Sequence, residues 1–410
     1  MKKQLLIIGG GFAGFWSAIS AIRQSRVIKK RGDIEITLVN PDNEVTLRPT
    51  LNEPLLEGLR FELDKYLKPL GIHQIFGRAE IIHPEKNEVI ISTVQSLSNF
   101  HYDYLILTTG ASLRMPDIPG IGNTFKIDSF ANAQILEDHL IELAKKDFNE
   151  EGASTFVVAG SEFTGLETVT SVEQKAHTIQ LYYSGKKSTF RSILLESESR
   201  MASQFSKACN QYVQDVITSK NIEVITGSEI IRIEPAFVLL RNGDRIATRT
   251  VIWTKGLAAS SLTQFFKGAK DEFDRLHVDQ FLKLPAYNNV IAAGNVAHSS
   301  GQGTSSLMDC QYAQFEGRWA GHNAVNDLFG VPMKKYVQPG YANCIDLGEP
   351  QPQCINDAER DLQREKYYQT AKEKHINRIT MYPWQDVEET VKASDPDMLV
   401  QYTQSIISRF

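Results

Sequence analysis

Three features of the sequence predict an α/β chain with two parallel-sheet domains. An apolar strand runs into closely spaced glycines at the start of the chain. The same pattern returns about 150 residues later, and each copy is followed by apolar residues at helical spacing. Strands alternating with helix-length segments are the sequence form of βαβ units, whose strands pair in parallel. A strand that turns through glycines into a helix is the opening of a Rossmann-like domain, the fold that holds dinucleotides.

The first copy is Leu5-Leu6-Ile7-Ile8 followed by Gly9, Gly11 and Gly14 in the spacing G-x-G-x-x-G, with Phe12, Phe15, Trp16, Ile19 and Ile22 at helical intervals. In that spacing Gly9 permits the turn, Gly11 lets backbone touch a pyrophosphate, and Gly14 lets helix and strand pack closely. The phosphates sit on the free N–H groups at the positive end of the helix, which places Phe12 and Ala13 in the cofactor-binding set. A second strand, Ile34 to Val39, ends at Asn40, and the loop beyond it carries Arg48-Pro49. Residues 75–93 alternate apolar and polar around Pro84-Glu85-Lys86-Asn87, which predicts a β-hairpin. Tyr104 to Leu107 is a buried strand ending in Thr108-Thr109-Gly110, and Pro116, Pro119, Gly120 and Gly122 mark a crossing between domains.

The second copy runs from Phe156 through Gly160-Ser161-Glu162-Phe163-Thr164 to Gly165. A helix follows, then a strand predicted at Thr178 to Tyr183 and a helix from about Ser203 to Lys220. Short strands are expected near Val224 and Ile231, with a hairpin at Asn242-Gly243, the dipeptide of a type I′ turn. Val251 to Gly256 ends this unit. Val290 to Ala293 runs into Gly294-Asn295-Val296-Ala297, and Asp309 to Leu328 has a long helical period. The chain from Met333 onward is mixed, without low-complexity sequence.

A chain of 410 residues suits two or three domains. Its net charge of −5 is mild and spread out, so no nucleic-acid partner is expected. No run of eighteen apolar residues is present, so no membrane span is expected. Lys2 and Lys3 precede a short strand that runs into glycines, not a secretory leader. The four cysteines, Cys209, Cys310, Cys344 and Cys354, fit neither a disulfide framework nor a C-x-x-C metal site, which points to a reducing, cytoplasmic setting and no metal.

In these residues the chain resembles the FAD-dependent pyridine nucleotide oxidoreductases with two dinucleotide-binding domains. Within them it is most similar to type II NADH dehydrogenases and their soluble relatives. The resemblance rests on Gly9 to Gly14, Arg48-Pro49, Leu107 to Gly110, Gly160 to Glu167, Trp253 to Gly256 and Ile291 to Ala297. Cys310-Gln311-Tyr312-Ala313, with Gly317-Arg318 and Gly321 to Ala324, resembles the family helix beside the flavin. Cys344 to Gly348 and Ile379 to Pro383 are fainter matches. The resemblance implies a split FAD domain, residues 1–115 and 285–330, with an NAD(P)-binding-like domain, residues 116–284, inserted in it. Residues 331–410 would form a C-terminal α+β region. It implies FAD contacts at Gly9, Gly11, Phe12, Ala13, Gly14, Asn40, Arg48, Pro49, Thr109, Gly110, Gly294, Asn295 and Gln311. It also implies Glu167 near nicotinamide and flavin, and Gln311 and Tyr312 by the flavin dimethylbenzene end and the acceptor tunnel. Lys255 stands where relatives carry a small residue, and a cation there would stabilise a reduced flavin anion.

The departures shape the functional expectation. Asn40, with Asp42 beyond it, stands where the family has an acidic residue. Asn295 replaces the family's aspartate at the ribityl chain, keeping an acceptor and adding a donor, and it could also cap a following helix. In the second copy Glu162 holds the middle glycine's place, where a carboxylate about 4 Å from a phosphate is repelled by roughly 4 kcal/mol at the effective dielectric near a protein surface. The acidic residue expected after the next strand is read as absent, with Tyr182-Tyr183 in its place. Lys186, Lys187 and Arg191 are then candidates to meet the 2′-phosphate of NADPH. No C-x4-C pair follows the first glycine loop, so thiol–disulfide chemistry is not expected. The tail Tyr402 to Phe410 lacks the basic face of a membrane-surface helix. The expectation is an FAD-dependent oxidoreductase with a weakened or lost NAD(P)H site, acting on a small-molecule substrate or electron acceptor. The alternatives are an NAD(P)H-oxidising dehydrogenase, or a flavin-binding subunit that works through a protein partner; a homodimer is compatible with each.

Overall fold

The computed structural model describes residues 1–203, 205–301, 304–338, 342–348, 353–356, 362–363 and 386–398. The chain begins with β1 (Lys3–Ile8), α1 (Phe12–Val27), β2 (Ile34–Asn40), β3 (His73–Phe76) and β4 (Tyr104–Leu107), and α2 (Phe130–Lys145) leads into a second series. That series is β5 (Thr155–Ala159), α3 (Phe163–Ser184), β6 (Arg191–Glu196), α4 (Lys207–Ser219), β7 (Glu223–Thr226) and β8 (Thr250–Trp253). The chain then returns with β9 (Val290–Ala292) and α5 (Cys310–Leu328).

Two parallel sheets result. The first has the order β9-β4-β1-β2-β3 and the second β7-β6-β5-β8, with every neighbouring pair parallel. Because β9 pairs with β4, the first sheet is completed by residues from the far side of the second. Leu5 to Ile8 and Leu105 to Leu107 are buried on both faces, as expected of parallel strands covered on both sides. Each sheet carries an antiparallel three-stranded sheet, 78–83/88–92/97–101 and 230–234/237–240/245–247. An antiparallel pair, Ala111–Leu113 with Leu257–Ala259, bridges the two halves. Helices α1 and α5 cross with their backbones in contact. A Cβ at Gly317 would lie 2.4 Å from the Ala13 carbonyl, and one at Gly321 would lie 2.1 Å from that of Ser17.

Three sequence-based expectations are corrected. The strand expected at Thr178 to Tyr183 is the end of α3. Its β-branched and aromatic residues resemble a strand, but Val169, Val172, Ala176 and Ile179 form one buried helical stripe while Leu181, Tyr182 and Tyr183 are exposed. The strand that follows is β6. Helix α4 begins at Lys207 instead of Ser203, where Ser206 Oγ accepts the Cys209 N–H. In the Asn242-Gly243 hairpin only Gly243 has positive φ (93°), so the turn is not type I′, which requires both. Among the described residues no helix is long and apolar enough to cross a membrane, and no group of His, Cys, Asp and Glu could hold a metal. Ile379 to Pro383 and the tail from Tyr402 lie outside the described residues.

Candidate functional site

The first glycine loop is an open cradle. Gly9 turns with φ +101°, and a Cβ at Gly14 would lie 1.7 Å from the Gly9 carbonyl, so helix and strand could not pack as they do. Gly11 has a different reason. Its backbone (φ −69°, ψ −167°) suits any residue, and a Cβ there would meet nothing within 4 Å. The missing side chain keeps space clear above the end of α1. No side chain caps that helix and its first turn holds no acid, so the N–H groups at Phe12 and Ala13 face the cleared space. Asn40 Oδ1 accepts the Gly10 N–H at 2.8 Å and its Nδ2 donates to the Asp42 carbonyl at 3.0 Å, which fixes the loop. Thr109 Oγ1, beside Gly110, and Asn295 Oδ1, beside Gly294, are buried without hydrogen-bond partners. An uncapped helix end, a cleared space and two unpaired buried oxygens fit an extended, phosphate-bearing cofactor such as FAD. No helix follows Asn295, so its capping role falls away.

Arg48, in a single helical turn Arg48–Thr50, donates from Nη1 to the Ala111 carbonyl at 3.0 Å, and Pro49 beside it is exposed. Glu167, in the first turns of α3, accepts the Asp346 N–H at 2.9 Å and so joins α3 to the C-terminal region. Gln311 is half-buried at the start of α5, where Asp309 Oδ1 accepts its N–H (2.8 Å) and that of Tyr312 (3.0 Å). The Tyr312 side chain is only 2% exposed, so it is packed inside the molecule. Lys255 is engaged with side chains of its own half. Its Nζ bonds Glu196 Oε1 at 2.5 Å and Ser197 Oγ at 2.6 Å, within the second half.

The second glycine loop copies the first almost atom for atom. Gly160 turns with φ +118°, and a Cβ at Gly165 would lie 1.9 Å from the Gly160 carbonyl. Thr254 Oγ1 donates to the Ala159 carbonyl at 2.8 Å, as Thr108 Oγ1 does to that of Ile8 at 2.8 Å. Glu196 ends β6 as Asn40 ends β2, and it accepts the Ser161 N–H at 3.0 Å as Asn40 accepts that of Gly10. The acidic residue read as absent from the sequence is therefore present, and it is Glu196. The lysines and arginine offered for a 2′-phosphate are engaged elsewhere or point away. Lys186 pairs with Asp147, Arg191 with Glu223 at the opposite end of β6, and Lys187 is exposed beyond α3.

Two positions break the correspondence, and both carry charge. Where Gly11 clears space, Glu162 has the same extended backbone (φ −78°, ψ 180°) with a carboxylate in that space. Its side chain is exposed at the surface but flanked closely enough that desolvation raises its pKa; Lys255 opposes this and Glu196 adds to it. Where the first half has Thr109, the second has Lys255, whose Cγ lies 2.4 Å from a Cβ built on Gly160. Glu196 is buried and accepts from five donors: Ser161 N and Oγ, Ser197 Oγ, Glu198 N and Lys255 Nζ. Burial alone would raise its pKa, but bonds from Lys255, Ser161 and Glu198 outweigh it and hold the carboxyl at about 2.

The profile described as "Pyridine nucleotide-disulphide oxidoreductase" matches residues 3–317. The chain belongs to this family. It is an FAD-dependent oxidoreductase. Over 383 residues the chain is 29% identical to an NADH dehydrogenase-like protein of Mycobacterium tuberculosis, covering 93% of this chain and 94% of that one. It is 22% identical to the type II NADH:quinone oxidoreductase of Staphylococcus saprophyticus, covering 85% and 88%. Among solved structures, NDH2 from Plasmodium falciparum in complex with NADH superposes with a TM-score of 0.76 at 15% identity, covering 96% and 97%. The two residues that sequence reasoning missed in this family member are Glu196 and Glu316. The first is signalled by the apolar run Ile193-Leu194-Leu195 that stops at an acid. The second, buried within α5, leaves no sequence signal.

Proposed function

We propose that FAD bound in the first domain, residues 1–115 with 285–330, serves a small-molecule substrate or electron acceptor, and that the second domain, residues 116–284, holds nicotinamide cofactors weakly. The flavin, when bound, supplies the hydride or electron transfer itself. The chain's own residues hold it. The α1 N–H groups at Phe12 and Ala13 face the pyrophosphate across the space that Gly11 leaves, and Thr109 Oγ1 and Asn295 Oδ1 offer hydrogen bonds.

The observation that carries the weak nicotinamide site is the saturation of Glu196. A carboxylate has about four lone-pair sites, and five donors already share this one. A ribose hydroxyl must displace one of them, and a bond to a charged group is worth roughly 1.5–3 kcal/mol. Glu162 adds repulsion toward a pyrophosphate, from roughly 1 kcal/mol in bulk water to 4 at a protein surface. A middle value of about 2 kcal/mol, added to the first, carries a micromolar site into the millimolar range.

A second reading, an NAD(P)H-oxidising dehydrogenase, is favoured by the names of the relatives and by Glu196 standing at the strand end, available once Lys255 swings aside. Anaerobic stopped-flow at the flavin absorption band, with NADH and NADPH each taken to millimolar concentration, separates the two. Slow bleaching without saturation is expected. Rapid bleaching that saturates in the micromolar range would move the protein to the dehydrogenase reading.

A further inference from the structure

Glu316 lies beneath the Gly294-Asn295 loop, and the function above makes no use of it. It is fully buried on α5, and its two carboxyl oxygens grip the loop at separate points. The Gly294 N–H donates to Oε2 at 2.6 Å and Ser299 Oγ to Oε1 at 2.6 Å. The grip is anchored from behind. Ser299 N–H donates to Ser306 Oγ at 3.1 Å, and Arg275, itself bonded to Asp271 through Nε at 2.6 Å, donates from Nη1 to the Ser306 carbonyl at 2.6 Å. Gly294 has φ +74°, and a Cβ on it would lie 2.9 Å from the Ala13 methyl, so this peptide is pressed onto the first turn of α1.

Next to this tightly held peptide, Asn295 Oδ1 is buried with no partner. A buried acceptor left unpaired is destabilising. Nothing that Asn295 Oδ1 gains from the protein keeps it there, so its position is imposed through the backbone, and the side chain holding that backbone is Glu316. We propose that Glu316 is a positioning residue for the flavin: through the Gly294 N–H it holds the Gly294-Asn295 peptide so that Asn295 Oδ1 meets a hydroxyl of the bound cofactor. The proposal rests on the reading that this loop receives FAD.

The chemistry of the site suits a neutral acid. Burial pushes the Glu316 carboxyl up to about 8, against the bonds from Ser299 and Gly294 and the charge of Arg275 and with that of Asp309; Tyr336 also faces it. A protonated side chain can still accept from Gly294 on one oxygen while the other donates to Ser299 Oγ, and it sets no charge beside a pyrophosphate. Glutamine has the same shape with one acceptor and one donor, so it should replace glutamate here.

The experiment is FAD titration of the deflavinated full-length protein, followed by quenching of flavin fluorescence, for wild type, Glu316→Gln, Glu316→Ala, Asn295→Ala and the double Asn295→Ala/Glu316→Ala. Glu316→Gln is expected to bind within about threefold of wild type and Glu316→Ala at least tenfold more weakly. The double variant should be no weaker than its weaker parent by more than about threefold, because both changes remove one contact. Glu316→Ala binding within twofold of wild type, or losses that multiply in the double variant, would overturn the proposal. If Glu316→Ala does not fold, Ser299→Ala, which frees the other carboxyl oxygen, takes its place with an expected loss of three- to fivefold that disappears when it is made in the Asn295→Ala variant. No loss in that variant overturns the proposal as well. Wild type failing to bind FAD would instead overturn the reading on which the proposal rests.

Discussion

Lys255 and Glu162 are the two charges the second glycine loop has and the first lacks, so removing them should make the second cleft resemble the first. Lys255→Ala releases one charged donor from Glu196 and uncovers Gly160. NADH half-saturation for flavin bleaching should fall by roughly tenfold or more, given 1.5–3 kcal/mol for such a bond. Lys255→Ala with Glu162→Gly should fall further, and unchanged half-saturation in both would show that neither residue limits the site. Glu162 also predicts a pH dependence. Its pKa is raised, first by desolvation, so it becomes neutral above the usual carboxylate range as pH falls. Nicotinamide should therefore bind more tightly toward acid pH, and Glu162→Gln should abolish the slope. Glu196 has the opposite sign. Its folded-state pKa, about 2, lies below an unfolded value near 4.3, so its contribution is full above that value and is lost as pH falls toward 2. Acid unfolding should shift to higher pH in Lys255→Ala, because the bond that depresses Glu196 is gone.

At the scale of elements, the contact between α1 and α5 depends on glycine. A Cβ at Gly321 would stand 2.1 Å from the Ser17 carbonyl and 2.9 Å from the Ala21 nitrogen, both backbone atoms that cannot rotate away. Gly321→Ala should destabilise by about 1–3 kcal/mol in urea unfolding, the usual range for overpacking. Gly122→Ala, whose Cβ would meet nothing within 4 Å, should be close to neutral. Equal midpoints for the two variants would show that the helices part easily. The same contrast explains what was legible in the sequence. The spacing of Gly9, Gly11 and Gly14 is read directly, because Gly9 and Gly14 answer backbone constraints that no other residue meets and Gly11 clears the space a side chain would fill. The end of α3 was not, because Thr178, Ile179, Tyr182 and Tyr183 have strand-like side chains, and only packing decides that Ile179 faces the core while the tyrosines face water. That one misplaced strand hid Glu196, since the acid was sought after the wrong element. Glu316 was hidden for another reason: α5 is covered on all sides over Tyr312 to Asn326, so no polar face marks where a buried carboxyl is bonded.

At the scale of the whole molecule, the proposed flavin and nicotinamide sites can work together only if the halves stay docked. The docking passes through residues 48–60, whose Leu51 and Leu56 pack in the second half's core beside Leu136, Leu140 and Val169. Arg60 stacks on the Phe130 ring at 3.7 Å, at the start of α2. A buried charge in this contact is Lys175 on α3, 3% exposed, which donates to Glu137 Oε2 at 2.7 Å and to the carbonyls of Glu53 and Pro54 at 3.2 Å each. One ammonium thus ties α2, α3 and a first-half loop at a single point. Lys175→Met keeps the volume but leaves a carboxylate and two carbonyls without their donor. Breaking a buried pair from one side is destabilising by roughly 3–5 kcal/mol, and the partial exposure of Glu137 places this case near the lower figure. The loss falls on the contact between the halves, so calorimetry should show one transition for wild type and two for Lys175→Met, the earlier one accompanied by flavin release or by loss of the 48–60 loop to protease. Adding Glu137→Gln removes the stranded carboxylate and should recover part of the loss. A single transition at the wild-type temperature in Lys175→Met would show that the apolar contacts of Leu51 and Leu56 dock the halves without help from the charge.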